Sequence, residues 1–197
     1  MTPDGLSATD VIRIFGLEPL PVEGGVYRQW YRSSDVLRAD DLPDRYDDDK
    51  PAGTGIVMMI TDEPSSFSAL HCLRTDELWH FYLGDPLVLV LLEPDGTSRR
   101  VVLGHDIGAG EVPFAVAHRG AWFGADLRPG GCFAVFGCTV SPGFTPSDFT
   151  GGVLADLLAG WPHEAETIRR LHRAEELQRM PSDVDALDTR EIGRAHV

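Results

Sequence analysis

The residues best suited to chemistry in this chain of 197 residues fall in one stretch, HCLRTDELWHFYLG, residues 71–84. It gathers His71, His80, the acids Asp76 and Glu77, and the aromatics Trp79, Phe81 and Tyr82. Three chemistries fit those types. His71 with Glu77 is the remnant of a metal site, a metal-free acid/base pair, or the polar lining of a binding pocket. If residues 77–83 form a strand, alternation puts Glu77, Trp79, Phe81 and Leu83 on one face and Leu78, His80 and Tyr82 on the other. An acid on an inward aromatic face is costly unless it is paired, hydrogen-bonded or protonated. His71, six residues earlier, would face Glu77 across a turn at Arg74–Asp76. A carboxylate beside an imidazole raises the pKa of the His and orients its ring, as general acid/base work requires. The plainer reading is an acid that hydrogen-bonds backbone at a strand start.

Other reactive types carry less. Cys72 adjoins His71, but neighbours on a strand point to opposite faces, which disfavours a thiol–imidazole dyad. Cys72, Cys132 and Cys138 are odd in number and contain no C-x-x-C pair, so zinc-ribbon and redox-motif chemistry is not expected. His80 should point away from Glu77, toward a structural hydrogen bond or a subunit contact. His105, His163 and His172 read as solvated, and His196 as tail. Trp79 and Trp122 suit a cavity wall or a core equally. Tyr27 alternates with Arg28 and Gln29 along a strand, lining a cavity or merely packing.

These residues need elements to hold them. A short helix opens the chain: Ser7 caps it, Asp10 completes a capping box, Val11, Ile14 and Phe15 follow helical spacing, and Gly16 ends it. PVEGGVYRQWYRS turns through paired glycines into a strand near Val26 to Arg32. From Thr54 to Val140, eight or more short apolar runs alternate with Gly, Pro and Asp turns and no intervening helix, the pattern of an antiparallel sandwich or barrel. Helical spacing returns at Val153, Leu154, Leu157 and Leu158, and again in PHEAETIRRLHRAEELQRM, with Ile168, Leu171 and Leu177 facing inward. Residues 181–197 are polar and aperiodic, a tail expected to be disordered.

Composition sets the limits. One domain suits the length, with residues 1–180 forming it and a strand core at about 54–140. The net charge of −14 argues against nucleic-acid and anionic-membrane partners, which demand clustered Lys and Arg. Much of that charge sits in Asp35, Asp40, Asp41, Asp44, Asp47, Asp48 and Asp49, which lack EF-hand spacing and read as a solvated loop. No apolar run reaches membrane length and no secretory signal opens the chain, so a cytoplasmic location is the default.

The stretch that opened this reading resembles the first signature of the cupin superfamily, with His71, Glu77 and Gly84 at its His, Glu and Gly positions. VEGGVYRQWYRS, SALHCLRTDELWHFYLGDPL, VAHRGAWFGA and FGCTVSPGFTPSDF are similar to segments of one branch, DUF985, described as sugar-epimerase-like cupins. The resemblance runs from about residue 10 to residue 172. It implies an all-β jelly roll with short terminal helices, a small-molecule ligand and a homodimer. It also exposes departures. Leu73 stands at the second metal-His position, and Phe123 at the position of the fourth ligand. His118 lies where the branch usually has Pro, and Cys72 where it has Arg. Two surviving ligands rarely hold a catalytic transition metal. The reading is therefore a metal-free, cofactor-free acid/base site with His71 and Glu77 as its catalytic residues. Tyr27, Trp79, Phe81, His118, Trp122 and Phe123 are expected to bind the substrate. Isomerase- or epimerase-like chemistry comes first, with a dehydratase or cyclase also open. The alternatives are a non-catalytic binding cupin and a metal-dependent oxygenase or lyase using His71, Glu77 and His118. Few basic residues fall in the strand region, which disfavours a diphosphate-linked substrate.

Overall fold

A computed structural model describes residues 5–173, 178–182 and 184. Helix α1 (Ala8–Phe15) begins at Ser7, whose side chain accepts from the Asp10 N–H while Asp10 reaches back to the Ser7 backbone. It ends at Gly16 in the left-handed region, as its capping residues dictate. Among the described residues thirteen strands follow in chain order. The early ones are β1 (Glu18–Pro19), β2 (Val26–Arg32), β3 (Val36–Leu37) and β4 (Lys50–Pro51). Then come β5 (Thr54–Thr61), β6 (Ser68–Cys72), β7 (Glu77–Gly84), β8 (Leu87–Leu92) and β9 (Ser98–Leu103). The last four are β10 (Phe114–Ala117), β11 (Trp122–Leu127), β12 (Phe133–Val140) and β13 (Thr150–Gly151), before helices α2 (Leu154–Gly160) and α3 (Ala165–Arg170).

Two antiparallel sheets face one another, ordered β1-β2-β5-β12-β7-β10 and β13-β6-β11-β8-β9. This is the expected jelly roll, all-β with short terminal helices. The strand core starts earlier than residue 54, because β2 pairs with β5 from Val26 to Arg32. Side-chain alternation sorts the apolar runs onto two faces. Met58, Ile60, Phe136, Leu89 and Leu91 meet in the central core. Val57, Met59 and Val135 point outward beneath Val11 of α1, while Val90 and Leu92 point outward beneath Leu157 and Ile168 of α2 and α3. Strands covered on both faces need continuous apolar sequence, which is why TGIVMMIT and PLVLVLLE lack a polar period.

Three local expectations change. The Asp-rich segment is tied down: Asp47 pairs with Arg74, Asp49 with Arg38, and Asp48 with Lys50. Lys50 is fully buried and also bonds Asp148 at 2.8 Å, so desolvation of its ammonium is matched by two carboxylates. Leu83 leaves the face of Glu77. The β7–β12 register slips between Val135 and Phe136, skipping Tyr82, and this turns Leu83 outward against the α1 cluster. The terminal histidines are not simply solvated, since His163 meets the Ser98 hydroxyl at 3.2 Å and His172 has a buried Nε2. Leu177 and nearly all of the expected tail, including His196, lie outside the described residues. Among the described residues no helix is long and apolar enough to cross a membrane.

Candidate active site

Between the sheets lies a cavity that opens to the surface. Its polar lining comes from Glu23, Gln29, Thr54, His71 and Glu77, with Tyr27 beside them. β6 presents His71 inward while its neighbour Leu70 faces α2 and α3. The imidazole stacks on Phe149 at 5.0 Å between ring centres and meets the edge of Phe123 at 4.4 Å. Its Nδ1 lies 2.7 Å from the Ala69 carbonyl oxygen. That oxygen can only accept, so Nδ1 carries the hydrogen, and of the two tautomers this selects the one whose lone pair is on Nε2.

Glu77 heads β7 and is likewise buried. Its Oε2 accepts from Trp79 Nε1 at 2.8 Å, a bond made between side chains two apart on one strand face. Burial pushes the Glu77 carboxyl up to about 8, with the negative charge of Glu23 adding to the rise and hydrogen bonds from Trp79 and Cys138 opposing it. Glu77 is therefore a neutral acid near pH 7. The Cys138 thiol, beneath the same two carboxyl groups, is pushed well above its usual range by burial and by their charge.

This differs from the pair expected from sequence. His71 and Glu77 do line one cavity. No hydrogen bond joins them among the described residues: the Ala69 carbonyl orients the imidazole, and Trp79 holds the carboxyl. Desolvation favours the protonated form of Glu77, which suits the acid of the pair better than an orienting anion.

The six expected substrate contacts separate. Tyr27 lines the cavity, its hydroxyl donating to the Val184 carbonyl at 3.3 Å. Trp79 and Phe123 are fully buried behind the polar groups, with Trp79 stacked on Phe136 at 4.9 Å. They support His71 and Glu77 from the core rather than bounding the cavity. Phe81 is in the same core and meets the edge of His105. Trp122 sits on the outer face of β11, packed with the α2–α3 cluster, because one residue's shift along a strand reverses its side. His118 is in the β10–β11 turn, two-thirds exposed, with Nδ1 3.4 Å from Asp76. His80, as its face requires, meets Thr139 on the outer side.

Glu23 and Gln29 are among the cavity residues that the sequence reading did not assign to the site. Glu23 sits in a tight turn where Val22, Gly24 and Gly25 all have positive φ, a conformation that a β-branched Val adopts only under constraint. A Cβ at Gly24 would lie 2.6 Å from the Phe67 carbonyl, so the turn presses against the strand edge. Glu23 Oε1 accepts from Ser68 Oγ at 2.7 Å. Its signal was the acid preceding Gly24-Gly25. Gln29 is 5% exposed, and its Oε1 is buried without a partner among the described residues. Its signal was its shared parity with Tyr27 on β2.

The sequence matches the profile of the cupin superfamily (DUF985) over residues 9–151. The chain belongs to the cupin superfamily. Protein SO0799 from Shewanella oneidensis is 32% identical, with 86% of this chain and 99% of that one covered, at a TM-score of 0.75. A hypothetical protein from Leishmania major is 28% identical over 86% of this chain and all of its own, also at 0.75. No match is found among curated proteins. Cupins of metal-binding type need several donors converging on one ion. Leu73 and Phe123, which the signature resemblance sets at two of those positions, are buried apolar side chains, and His118 is exposed in the β10–β11 turn. Among the described residues no three His, Cys, Asp or Glu side chains are arranged to hold a metal ion. The donor set does not fit a catalytic metal.

Proposed function

We propose that this cupin is a small-molecule enzyme of isomerase or epimerase type that moves protons by acid/base chemistry without a metal. The observation that carries the reading is a carboxyl held neutral near pH 7 in the same buried cavity as an imidazole whose Nδ1 is tied to backbone. A protonated carboxyl and an imidazole lone pair facing one space can serve as acid and base at one pH. His71 Nε2 takes the proton from a carbon next to a carbonyl, and the C–H electron pair becomes the new C=C bond. Glu77 gives its proton to the carbonyl oxygen, forming an enol. Reversal returns both protons, and the carbon is inverted only when the enol turns its other face to His71 before the proton returns; no oxidant or reductant enters. Burial supports the step by excluding water from the polar groups.

The test is proton exchange in D₂O with small carbonyl compounds found by ligand screening, followed by NMR. Deuterium should enter the α-carbon. Glu77→Gln, which keeps the shape but loses the proton, should slow exchange at least about a hundredfold. The rate should also fall as pH rises through about 8, where Glu77 loses its proton. A ligand that binds without exchange at any pH would instead make the cavity a binding module.

A further inference from the structure

The cavity also carries a statement about the class of ligand, drawn from its lining rather than from its acid and base. Among the described lining residues none is Lys or Arg, while Glu23 and Glu77 both border the space. An anionic ligand would face carboxyl groups with no cation to receive it. An ammonium would have to compete with bonds already made, since Glu23 accepts from Ser68 and Glu77 from Trp79. Glu23 also feels the guanidinium of Arg173, whose Nε bonds the Glu23 backbone carbonyl at 3.0 Å. The fully buried polar atom of the wall that has no partner among the described residues is neutral: Gln29 Oε1. A buried acceptor left alone is costly, and a ligand hydroxyl is the group that would satisfy it. Beyond these and Thr54, His71, Tyr27 and Cys138, the wall is hydrocarbon, with Phe144, Phe149, Met180 and Ile56 among its members.

We propose that the cavity binds a small uncharged hydroxy-carbonyl compound, its hydroxyl donating to Gln29 Oε1 and its hydrocarbon body lying against Phe149 and Met180. Only the carbonyl, set toward Glu77, rests on the acid/base reading. The hydroxyl, the absence of charge and the apolar body rest on the lining. The same class excludes carboxylates, sugar phosphates and nucleotide-linked sugars as ligands.

Four compounds of nearly one shape test this by NMR shift titration of the whole protein. They are acetoin, lactate (carboxylate for acetyl), the ammonium analogue of acetoin, and butanone (no hydroxyl). Acetoin should bind at least about tenfold more tightly than each of the others, the worth of one well-made hydrogen bond or more. Gln29→Leu should weaken acetoin about tenfold, to the level of butanone, and leave butanone unweakened. Because the substitution removes a stranded acceptor, the melting temperature of the free protein should hold or rise, and Gln29→Met should behave likewise. Tighter binding of lactate or of the ammonium compound overturns the proposal. So does no binding of acetoin, an unchanged acetoin affinity in Gln29→Leu, or unfolding of both variants, which would make the amide structural. Binding and exchange are read separately. Acetoin bound but never exchanged sinks the acid/base reading alone, while exchange on a carboxylate sinks this one alone.

Discussion

At the scale of single residues, Trp79 governs the site without touching the cavity. Its indole N–H is the 2.8 Å donor to Glu77, and a donor to the charged form of a carboxyl lowers its pKa. Trp79→Phe keeps the aromatic packing on Phe136 but deletes that donor. The Glu77 pKa should then rise further above about 8, as read from the side-chain carboxyl ¹³C shift during a pH titration. A pKa that stays in place or falls would mean that the indole bond is not felt by the charged form. The exposed pairing of His118 with Asp76 belongs to the same scale, where solvent screening keeps such pairs weak.

Among elements, the approach of β6 to β11 decides where His71 stands. Phe123 pairs with His71 and Ala125 with Ser68, and the register shifts between them at Gly124. A Cβ at Gly124 would lie 2.7 Å from the Ser68 carbonyl oxygen and 3.0 Å from the Leu70 nitrogen, both backbone atoms that cannot swing aside. Gly124→Ala should therefore force the strands apart, at a cost of about 1–3 kcal/mol in urea denaturation. The same movement should shift the His71 ring resonances, because β6 carries both His71 and the Ser68 that holds Glu23. Unchanged stability with unchanged His71 signals would show that another contact sets this spacing.

Across the whole molecule, the buried acid makes stability depend on pH. Glu77 holds its proton to about 8 in the fold, against an ordinary value of 4.5 in an open chain. Between those values the folded state binds more protons, so its contribution is full below pH 4.5 and is lost as pH rises through about 8. At about 1.4 kcal/mol per pH unit the loss is on the order of a few kcal/mol. Glu164, paired with Arg100, has the opposite sign: its pKa is held at about 2, so its contribution is present above 4.5 and lost as pH falls through about 2. The urea midpoint should accordingly fall from about pH 5 to about pH 8 in the natural chain and lie nearly flat in Glu77→Gln. A rising midpoint over that window in the natural chain would show that Glu77 is ionised throughout.

The sequence determined the elements and one polar pair. Ser7, Asp10 and Gly16 specify α1 through local capping, and alternation with turn residues specifies the strands from β5 to β12, because both signals act between near neighbours. The first cupin signature, together with alternation on β7, likewise placed His71 and Glu77 toward one space. The tertiary structure decided what surrounds them. Glu23 and Gln29 reach the cavity from a strained turn and from β2, more than forty positions before His71 and Glu77, a juxtaposition created by sheet packing alone. Trp122 and Leu83 were misplaced because the face of a strand depends on pairing register and on covering helices that local spacing does not encode. The proton on Glu77 was likewise beyond local sequence, since desolvation and the charge of Glu23 exist only once the two sheets have closed around them.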